Sequence, residues 1–90
     1  MSRLQKKLLE KLKKKKVFAL SINASGISRV GMPDILILNK DGQAIFVEIK
    51  EKGDRLSEIQ KVTIEKLQDL GYPVFVVRND AQLKEVLLFV

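Results

Sequence analysis

Residues 31–50 decide the fold, and they read Gly-Met-Pro-Asp-Ile-Leu-Ile-Leu-Asn-Lys-Asp-Gly-Gln-Ala-Ile-Phe-Val-Glu-Ile-Lys. Two apolar runs flank an Asn-Lys-Asp-Gly turn, which is the pattern of a β-hairpin. Asp34 stands at the start of the first predicted strand, and Glu48 and Lys50 stand at the end of the second. Three charged side chains therefore meet at the open end of an apolar hairpin. Burying a charge there costs free energy unless the charge is paired or belongs to a functional site.

The turn determines which of these residues face each other. A two-residue loop would point Asp34 to the opposite face of the sheet from Glu48 and Lys50. A three-residue loop with Gly42 in the left-handed conformation places Asp34 opposite Glu48, with Lys50 two residues further on the same side. Asn39 and Gly42 suit the three-residue loop, so the sequence predicts this second register.

The length and composition bound the function. Ninety residues predict a single domain spanning 1–90. The chain has no cysteine and no histidine, so disulfides, thiolate zinc sites and Ser-His or Cys-His catalysis are excluded. Carboxylates, lysines and a hard cation remain available for chemistry. The early charges and the lack of an apolar run of ~20 residues predict neither a signal peptide nor a membrane span. We therefore expect a cytoplasmic protein of a bacterial, archaeal or phage-infected cell that is not secreted.

The chain is basic. Seventeen Lys and Arg against eleven Asp and Glu give a formal charge of +6, which favours nucleic acid as a partner, with an anionic membrane surface second. Solubility explains the same excess equally well. The densest charge is a lysine run at the end of a predicted helix, where cations also complement the helix dipole. The candidate DNA-contacting residues are Lys13, Lys14, Lys15, Lys16, Arg29, Lys52 and Arg55.

Residues 1–16 predict an amphipathic helix. Gln5 falls on its apolar side and Glu10 on the opposite side, so Gln5 but not Glu10 is placed to contribute to a buried site. The apolar stripe consists of Leu4, Leu8 and Leu12.

Residues 17–22 alternate as a strand, and residues 23–31 form a polar loop before the hairpin. Both hairpin strands carry apolar residues on both faces, which predicts strands in the middle of a sheet covered on both sides.

A second helix opens at Ser57 with a capping-box pattern that ends at Gln60. Residues 73–77 predict a buried strand, and Asp80 is the predicted N-cap of a last helix. A parallel crossover then joins the last two strands, giving an α/β fold of order αβββαβα with a four-stranded mixed sheet between helices. The predicted buried stripe of the second helix is Ile59, Val62, Leu67 and Leu70.

Two adjacent carboxylates repel each other, so both stay ionised at a low cost in free energy only when a cation lies between them. Asp34, Glu48, the backbone carbonyl of Ile49 and waters form a plausible Mg²⁺ shell. Lys50, one strand repeat from Glu48, can orient or deprotonate a water and offset charge on a pentavalent phosphorus. This set of groups suits phosphodiester hydrolysis, whereas an ordinary ion cluster at the end of a sheet is the alternative.

The motifs resemble a known family. Gly31-Met-Pro-Asp34, Phe46-Val-Glu48-Ile-Lys50, and Leu56-Ser-Glu-Ile-Gln60 resemble the PD-(D/E)xK nucleases, and most closely their virus-type replication-repair nuclease (VRR-NUC) domains. The tail Leu70-Gly-Tyr-Pro-Val-Phe-Val-Val77 is also similar to the end of that family's pattern. The resemblance spans nearly the whole chain and implies a single stand-alone nuclease domain with the restriction-endonuclease-like core.

This resemblance implies roles for individual residues. Asp34 and Glu48 would hold Mg²⁺ or Mn²⁺, Lys50 would be the catalytic lysine, and Gln60 would position the attacking water or a phosphate. Gln60 in the capping box is the competing interpretation. The implied activity is that of a homodimeric endonuclease acting on branched DNA, of the Holliday-junction or flap type.

One position departs from the family pattern. The first helix of the family normally carries a glutamate, and Leu4-Gln5-Lys-Lys-Leu8 places Gln5 there. Since Gln5 supplies no negative charge, metal affinity is expected to fall. A catalytically weakened or inactive DNA-binding module of the same fold is therefore an alternative function, and a small interaction module is a third.

Overall fold

Three helices and four strands follow one another in the predicted order in the computed structural model, which describes residues 2–22 and 30–90. No helix within these two ranges is both long and apolar enough to cross a bilayer. The elements are α1 (Arg3–Lys14), β1 (Phe18–Ser21), β2 (Ile35–Leu38), β3 (Ala44–Ile49), α2 (Glu58–Asp69), β4 (Val74–Val77) and α3 (Asp80–Phe89).

The four strands form one mixed sheet in the order β1-β2-β3-β4. The β1–β2 and β2–β3 pairs are antiparallel, and the β3–β4 pair is parallel. The predicted parallel crossover through α2 is therefore confirmed. Ile35 pairs with Val47 and Leu38 with Ala44, which is the register that the three-residue loop predicts.

The hairpin turn holds that register with its own hydrogen bonds. The Gly42 backbone has φ +78° and its N–H donates to the Asn39 carbonyl at 3.1 Å. The Asn39 side-chain oxygen accepts from the N–H groups of Asp41 and Gln43 at 3.1 and 3.0 Å. A β-carbon at position 42 would strain this left-handed conformation, so the turn residues and the strand register are coupled.

The main core lies between one face of the sheet and the helices α1 and α3. Leu4, Leu8 and Leu12 are all buried there, which confirms the predicted stripe of α1. Arg3 and Lys7 donate to the carboxylate of Asp80 at 3.3 and 2.9 Å and link the starts of α1 and α3. Helix α2 packs against β4 on the other face of the sheet.

That other face is covered only in part, and two predictions about it were wrong. Strand β3 is buried on both faces, but Phe18 of β1 is 62% exposed and Leu38 of β2 is 41% exposed. On α2 the buried apolar residue is Ile64, whereas most of the predicted stripe is open to solvent. The exposed members are Ile59 (48%), Val62 (49%) and Leu70 (73%), and only Leu67 is half-buried. Helix α2 contacts the sheet mainly at β4 and buries Ile64, which leaves this stripe open to solvent.

The segment that leads into β2 is packed against α2 through a glycine. Gly31 has φ +89°, and a β-carbon built on it would lie 3.0 Å from Ile59 Cγ1, the Ile59 carbonyl oxygen and Thr63 Oγ1. Any side chain at this position would displace the segment from the helix. Because Asp34 follows only three residues later, this contact also fixes where β2 begins.

Candidate active site

The candidate residues lie at one end of the sheet, where β3 and β4 finish and β2 begins, here called the site end. All three helices also start there, because each runs antiparallel to the strand beside it. Their N-caps are Ser2, Ser57 and Asn79. The prediction that Asp80 caps the last helix was wrong by one residue, because the Asn79 side-chain oxygen accepts from the Gln82 N–H at 2.9 Å. Helix N-termini carry partial positive charge, so this end of the molecule favours anionic groups.

Asp34 is fixed by both neighbouring strands. Its carbonyl accepts from the Ile22 N–H at 2.8 Å, and its own N–H donates to the Val47 carbonyl at 3.0 Å. The Asp34 Oδ2 atom accepts from the Ile49 N–H at 2.8 Å. Val47 is already the ladder partner of Ile35, so the bond from the Asp34 N–H to Val47 places Asp34 outside the regular ladder, and its side chain reaches the Ile49 N–H.

Glu48 is the buried charged residue of the described chain, with 2% of its surface exposed. Burial, then the hydrogen bond with Asp34 and the negative charge of Asp34, raise the pKa of Glu48 to about 8. The charge of Lys50 and the N–H of Ile49 act in the opposite direction but are weaker. The structure therefore brings Asp34 and Glu48 together, as the sequence predicts, with Lys50 close enough to affect Glu48.

The groups present fit a hard cation. Within residues 2–22 and 30–90, Glu48 Oε2 is the one buried side-chain oxygen or nitrogen that lacks a hydrogen-bond partner. In an extended strand the N–H and C=O of one residue point to the same side, so the Ile49 carbonyl faces Asp34 as its N–H does. Two carboxylates and a carbonyl are oxygen donors, which Mg²⁺ prefers. The described ranges contain no cluster of three or more His, Cys, Asp or Glu that could hold a metal by itself, so water and phosphate would complete such a shell.

Gln60 forms the capping box of α2. Its Oε1 accepts from the Ser57 N–H at 2.9 Å, and its own N–H donates to Ser57 Oγ at 3.2 Å. The competing interpretation from the sequence is therefore present in the structure. The two roles are less exclusive than the sequence pattern indicates, since the cap uses the oxygen of the amide and the Nε2 group remains a possible donor at the site end.

Gln5 reaches the sheet from the first turn of α1. Its Nε2 donates to Ser21 Oγ at 3.2 Å, and the residue is half-buried. Ser21 ends β1 next to Ile22, whose N–H bonds the Asp34 carbonyl. Gln5, which the amphipathic pattern of the helix placed near a buried site, thus lies at the site end. Glu10 lies about one and a half turns further along α1.

The basic residues are divided between the two ends of the sheet. The lysine run 13–16 lies at the far end of α1, beside the start of β1 and the hairpin turn, and away from the carboxylates. Lys52 and Arg55 are exposed in the loop that follows β3, next to Lys50. Arg29 lies outside the described residues. The structure therefore does not bring the predicted set of DNA-contacting residues together.

Sequence reasoning missed Ser21 and Arg78. The Arg78 guanidinium donates to the Asp54 carbonyl and its N–H donates to Gln82 Oε1 at 2.7 Å, so it ties the loop carrying Lys52 to the end of β4. Since Ile49 pairs in parallel with Val77, the residue after Val77 had to lie at the site end. The parallel crossover predicted from the sequence could therefore have identified Arg78 as a residue of the site end. For Ser21 the sequence offered no comparable signal.

A pocket of about 440 Å³ lies elsewhere, along the exposed flank of α2 rather than over the carboxylates. Val30 and Met32 line it from the segment that precedes β2, and Ile59, Val62 and Thr63 line it from α2.

Comparisons with known proteins agree with this architecture. A solved structure described as a VRR_NUC domain superposes with a TM-score of 0.81 at 26% identity, covering 96% of this chain and 91% of that chain. The structure of Archaeoglobus fulgidus Hjc, described as a Holliday junction resolvase from an archaeal hyperthermophile, gives a TM-score of 0.60 at 23% identity, covering 87% of this chain and 66% of that chain. A search of curated proteins finds no significant match.

The likeness to Hjc, at 23% identity, shows a shared fold alone. The family model described as the VRR-NUC domain matches residues 1–81, which include every element from α1 to β4 and the start of α3. The chain therefore belongs to the VRR-NUC family of nuclease domains.

Proposed function

We propose that the chain is a Mg²⁺- or Mn²⁺-dependent endodeoxyribonuclease that hydrolyses phosphodiester bonds in branched DNA as a homodimer. The observation that carries this proposal is the contact between Asp34 and Glu48, which leaves Glu48 Oε2 buried without a partner. When both of its carboxyls are ionised, a pair of this kind destabilises the folded chain unless a cation binds it. Family membership supports the reaction class.

Asp34, Glu48 and the Ile49 carbonyl would hold the metal. When bound, it would supply positive charge for the phosphate and acidify a water at neutral pH. Asp34 is oriented for this role by the Ile49 N–H. In the reaction the water oxygen forms a bond to phosphorus, and the phosphorus–oxygen bond to the leaving strand end breaks.

Lys50 and Gln60 would act on the reacting groups from the protein side. Lys50 lies on the same face as Glu48, and its backbone is held by the Val77 carbonyl at 2.9 Å. An ammonium there orients the attacking water and offsets charge as it develops on phosphorus. The Nε2 group of Gln60, left over from the capping box, would donate to the water or to a phosphate oxygen.

The substrate class rests on charge and on the fold. A formal charge of +6 and three helix N-termini at the site end suit a polyanion. The shared fold with Hjc, which is described as a Holliday junction resolvase, makes a four-way junction the first substrate to test and a flap the second. Two copies related by a two-fold axis would present two sites to symmetric strands.

A weakened or inactive DNA-binding module of the same fold is the second candidate. Gln5 favours it, because its amide is neutral and donates to Ser21. Such a protein would bind the same DNA with the same basic residues but would hold a cation weakly and cut slowly or not at all.

A cleavage assay separates these functions. Junction, flap and linear DNA are incubated with Mg²⁺ and with Mn²⁺, comparing the wild type with Asp34→Ala and Lys50→Ala. We expect cleavage of branched DNA by the wild type alone. Cleavage that persists in Asp34→Ala would overturn the proposed site. Binding to junctions by the wild type without cleavage under either metal would favour the binding module, and loss of DNA binding even at low salt would contradict both.

A further inference from the structure

We propose that Arg78 is a phosphate-binding residue of the active site, which holds a DNA phosphate next to the one that is cut. This role rests on the proposed nuclease function and adds a residue that lies outside the motifs of the sequence. DNA binding can be measured without cleavage, so failure of this role is distinguishable from failure of the proposed nuclease.

The pairing of β3 with β4 places Arg78 beside Lys50. The Phe46 N–H donates to the Pro73 carbonyl at 3.0 Å, and the residue that pairs with Phe46 is the one after that acceptor. The Lys50 N–H donates in the same way to the Val77 carbonyl at 2.9 Å. The parallel ladder therefore continues one step past the strands and pairs Lys50 with Arg78, on backbones about 4.8 Å apart.

The Arg78 side chain leaves the sheet on the same face as the side chains of Glu48 and Lys50. Ile49 and Val77 are paired, and both belong to the core under α1 and α3. Successive residues of a strand point to opposite faces, so the residues before and after Ile49 point to the face that carries α2. The residue after Val77 does the same. Arg78 thus joins the acid and the lysine of the site on one face of the sheet.

Arg78 is held at both of its ends. Its main-chain N–H donates to Gln82 Oε1 at 2.7 Å, which attaches it to the first turn of α3. Its guanidinium donates to the Asp54 carbonyl in the loop between β3 and α2. Fixing a long side chain costs conformational entropy, and here the fold bears that cost before a ligand arrives. One of the five N–H groups of the guanidinium makes this bond, so the other donors are oriented for a second acceptor.

The charge of Arg78 has no counter-ion among residues 2–22 and 30–90, where the ion pairs involve other cations. Arg3 at the same end of the molecule differs, because two of its nitrogens donate to the two Asp80 carboxylate oxygens at 3.3 Å each. Arg3 is thus neutralised by a fork-shaped pair, whereas Arg78 is half-buried without one. Phosphate oxygens match the guanidinium fork in the same way as carboxylate oxygens, and DNA supplies them.

The order of the strands indicates which phosphate Arg78 would hold. Asp34 and Glu48 come from neighbouring strands, so the phosphate that is cut would lie at the ends of β2 and β3. Arg78 follows β4, roughly 7 Å further across the end of the sheet at about 4.8 Å per strand. Consecutive phosphates of one DNA strand are separated by a similar distance. A strand crossing the site end from β2 to β4 would therefore place the cut phosphate at the acids and its neighbour at Arg78.

A purely structural role for Arg78 makes different predictions. Its bond to the Asp54 carbonyl also holds the loop that carries Lys52 and Arg55, so loss of Arg78 would displace these two cations. An effect that acts through the loop disappears once Lys52 and Arg55 have been removed. A direct contact with DNA instead adds to their loss, because independent contributions to binding are additive.

The test is the salt dependence of junction binding, measured without divalent metal so that no strand is cut. We expect Arg78→Gln to weaken binding about tenfold or more and to reduce the slope of log affinity against log salt by about 1. Arg78→Lys keeps the charge and should keep the slope, although a single ammonium binds phosphate less tightly than the fork.

Arg3→Gln is the matched control. It removes the same charge from the same end of the molecule, but the Arg3 guanidinium is already paired with Asp80, so the slope should stay close to that of the wild type. Unchanged affinity and slope in Arg78→Gln would overturn the phosphate contact. An equal loss in Arg3→Gln would also overturn it, because net charge alone would then account for the effect.

The same substitution in a protein that already carries Lys52→Ala and Arg55→Ala separates the direct contact from the structural role. We expect Arg78→Gln to reduce the slope by about 1 in this background as well. An unchanged slope there would overturn the direct contact and assign Arg78 to holding the loop. Urea unfolding of each variant shows that folded proteins are being compared.

A modified substrate identifies the phosphate. Junctions are made in which one of the two phosphates next to the cleavage position is replaced by an uncharged methylphosphonate. At one of these positions the wild type should bind several-fold more weakly, while Arg78→Gln should lose nothing further. Weakening of both proteins by the same factor would overturn the assignment. A wild type that binds junctions without cutting them would instead count against the proposed nuclease, and the change in salt slope would still support the contact.

Discussion

The Oδ2 atom of Asp34 accepts a hydrogen bond from the backbone N–H of Ile49 at 2.8 Å. This bond joins the side chain that opens β2 to the main chain that closes β3. It holds the Asp34 carboxyl beside Glu48 before any cation binds, so the charges at the site end are positioned by the fold.

Replacing Asp34 tests that bond and the site separately. Asp34→Asn keeps an oxygen for the Ile49 N–H and loses the charge, whereas Asp34→Ala loses both. We expect Asp34→Ala to lower the free energy of unfolding by about 1–3 kcal/mol, because a part-buried N–H loses its partner, and Asp34→Asn to lower it less. Urea unfolding measures the difference. Both variants should lose DNA cleavage, and an active Asp34→Asn protein would show that the charge is not needed.

The Glu48 carboxyl makes stability depend on pH. Its pKa is raised from 4.5 to about 8 in the folded chain. Below pH 4.5 both states are protonated, and between these values the unfolded chain releases a proton that the folded chain keeps. Stability therefore falls as pH rises through this window and stays lower above it. Glu48→Gln should remove the loss and be more stable than the wild type above the window, by on the order of 2 kcal/mol.

The measurement is urea unfolding in metal-free buffer at pH values on either side of that window. Glu58→Gln is the matched control, since Glu58 is exposed at the start of α2. Added Mg²⁺ should raise the unfolding midpoint of the wild type but not that of Glu48→Gln, because binding to the folded state alone stabilises it. An equal shift in both proteins would remove Glu48 from the proposed metal site.

The register of the hairpin could be predicted because it depends on local chemistry. Asn39 and Gly42 fix the turn through hydrogen bonds between residues a few positions apart. Counting along two strands therefore predicts that the side chains of Asp34 and Glu48 meet, although Asp34 itself lies outside the ladder. The stripe of α1 was predictable for the same reason, since Leu4, Leu8 and Leu12 follow the helix period.

The coverage of α2 could not be predicted in this way. The helical periodicity predicts which residues share a stripe, but it does not predict whether the sheet, solvent or another chain lies against that stripe. The sequence pattern therefore predicts Ile59 and Val62 to be core residues, whereas both are about half exposed in the structure. The position of the lysine run relative to the carboxylates is equally a matter of topology, because α1 begins at the site end and ends about 18 Å away, at 1.5 Å per residue.

Gln5→Glu tests whether the departure in α1 limits the enzyme. The Ser21 hydroxyl can donate to a carboxylate as readily as it accepts from the amide, and a negative charge in the first helical turn is favourable. We expect unchanged folding, tighter Mg²⁺ binding by calorimetry and faster cleavage, tenfold for each ~1.4 kcal/mol by which the activation free energy falls. Gln5→Ala is the control that removes the hydrogen bond to Ser21 without adding charge. If Gln5→Glu leaves both metal binding and cleavage unchanged, α1 does not contribute to the site.

The two proposed uses of Gln60 can be separated by a pair of variants. Gln60→Glu keeps the oxygen that the capping box needs but lacks the Nε2 donor. Ser57→Ala removes the cap, at a cost of about 1 kcal/mol, but leaves the Gln60 amide. We expect Gln60→Glu to fold with near wild-type stability and cut slowly, and Ser57→Ala to be less stable and cut normally under folding conditions. The reverse outcome would assign Gln60 to the cap alone.

The basic residues at the two ends of the sheet should contribute differently to DNA binding. Lys52 and Arg55 follow Lys50 at the site end, while the lysine run 13–16 lies at the other end. We expect the double variant of Lys52→Ala and Arg55→Ala to weaken junction binding. It should also reduce the slope of log affinity against log salt by about 1 for each phosphate that the protein no longer neutralises. The matched comparison is Lys14→Ala with Lys15→Ala, which removes the same charge and should have the smaller effect. Equal weakening by the two double variants would place the far end of α1 on the DNA as well.

The close approach of Gly31 to α2 has a consequence for how this protein tolerates mutation. Position 31 has no charge and no polar side chain, yet it determines the distance between the start of β2 and the helix that carries Gln60. Screens that score activity across all substitutions would show this neutral glycine to be as intolerant as the acids themselves. Its replacements would also be recognisable as a class of their own, because they should produce soluble, folded chains whose acids are all present but misaligned.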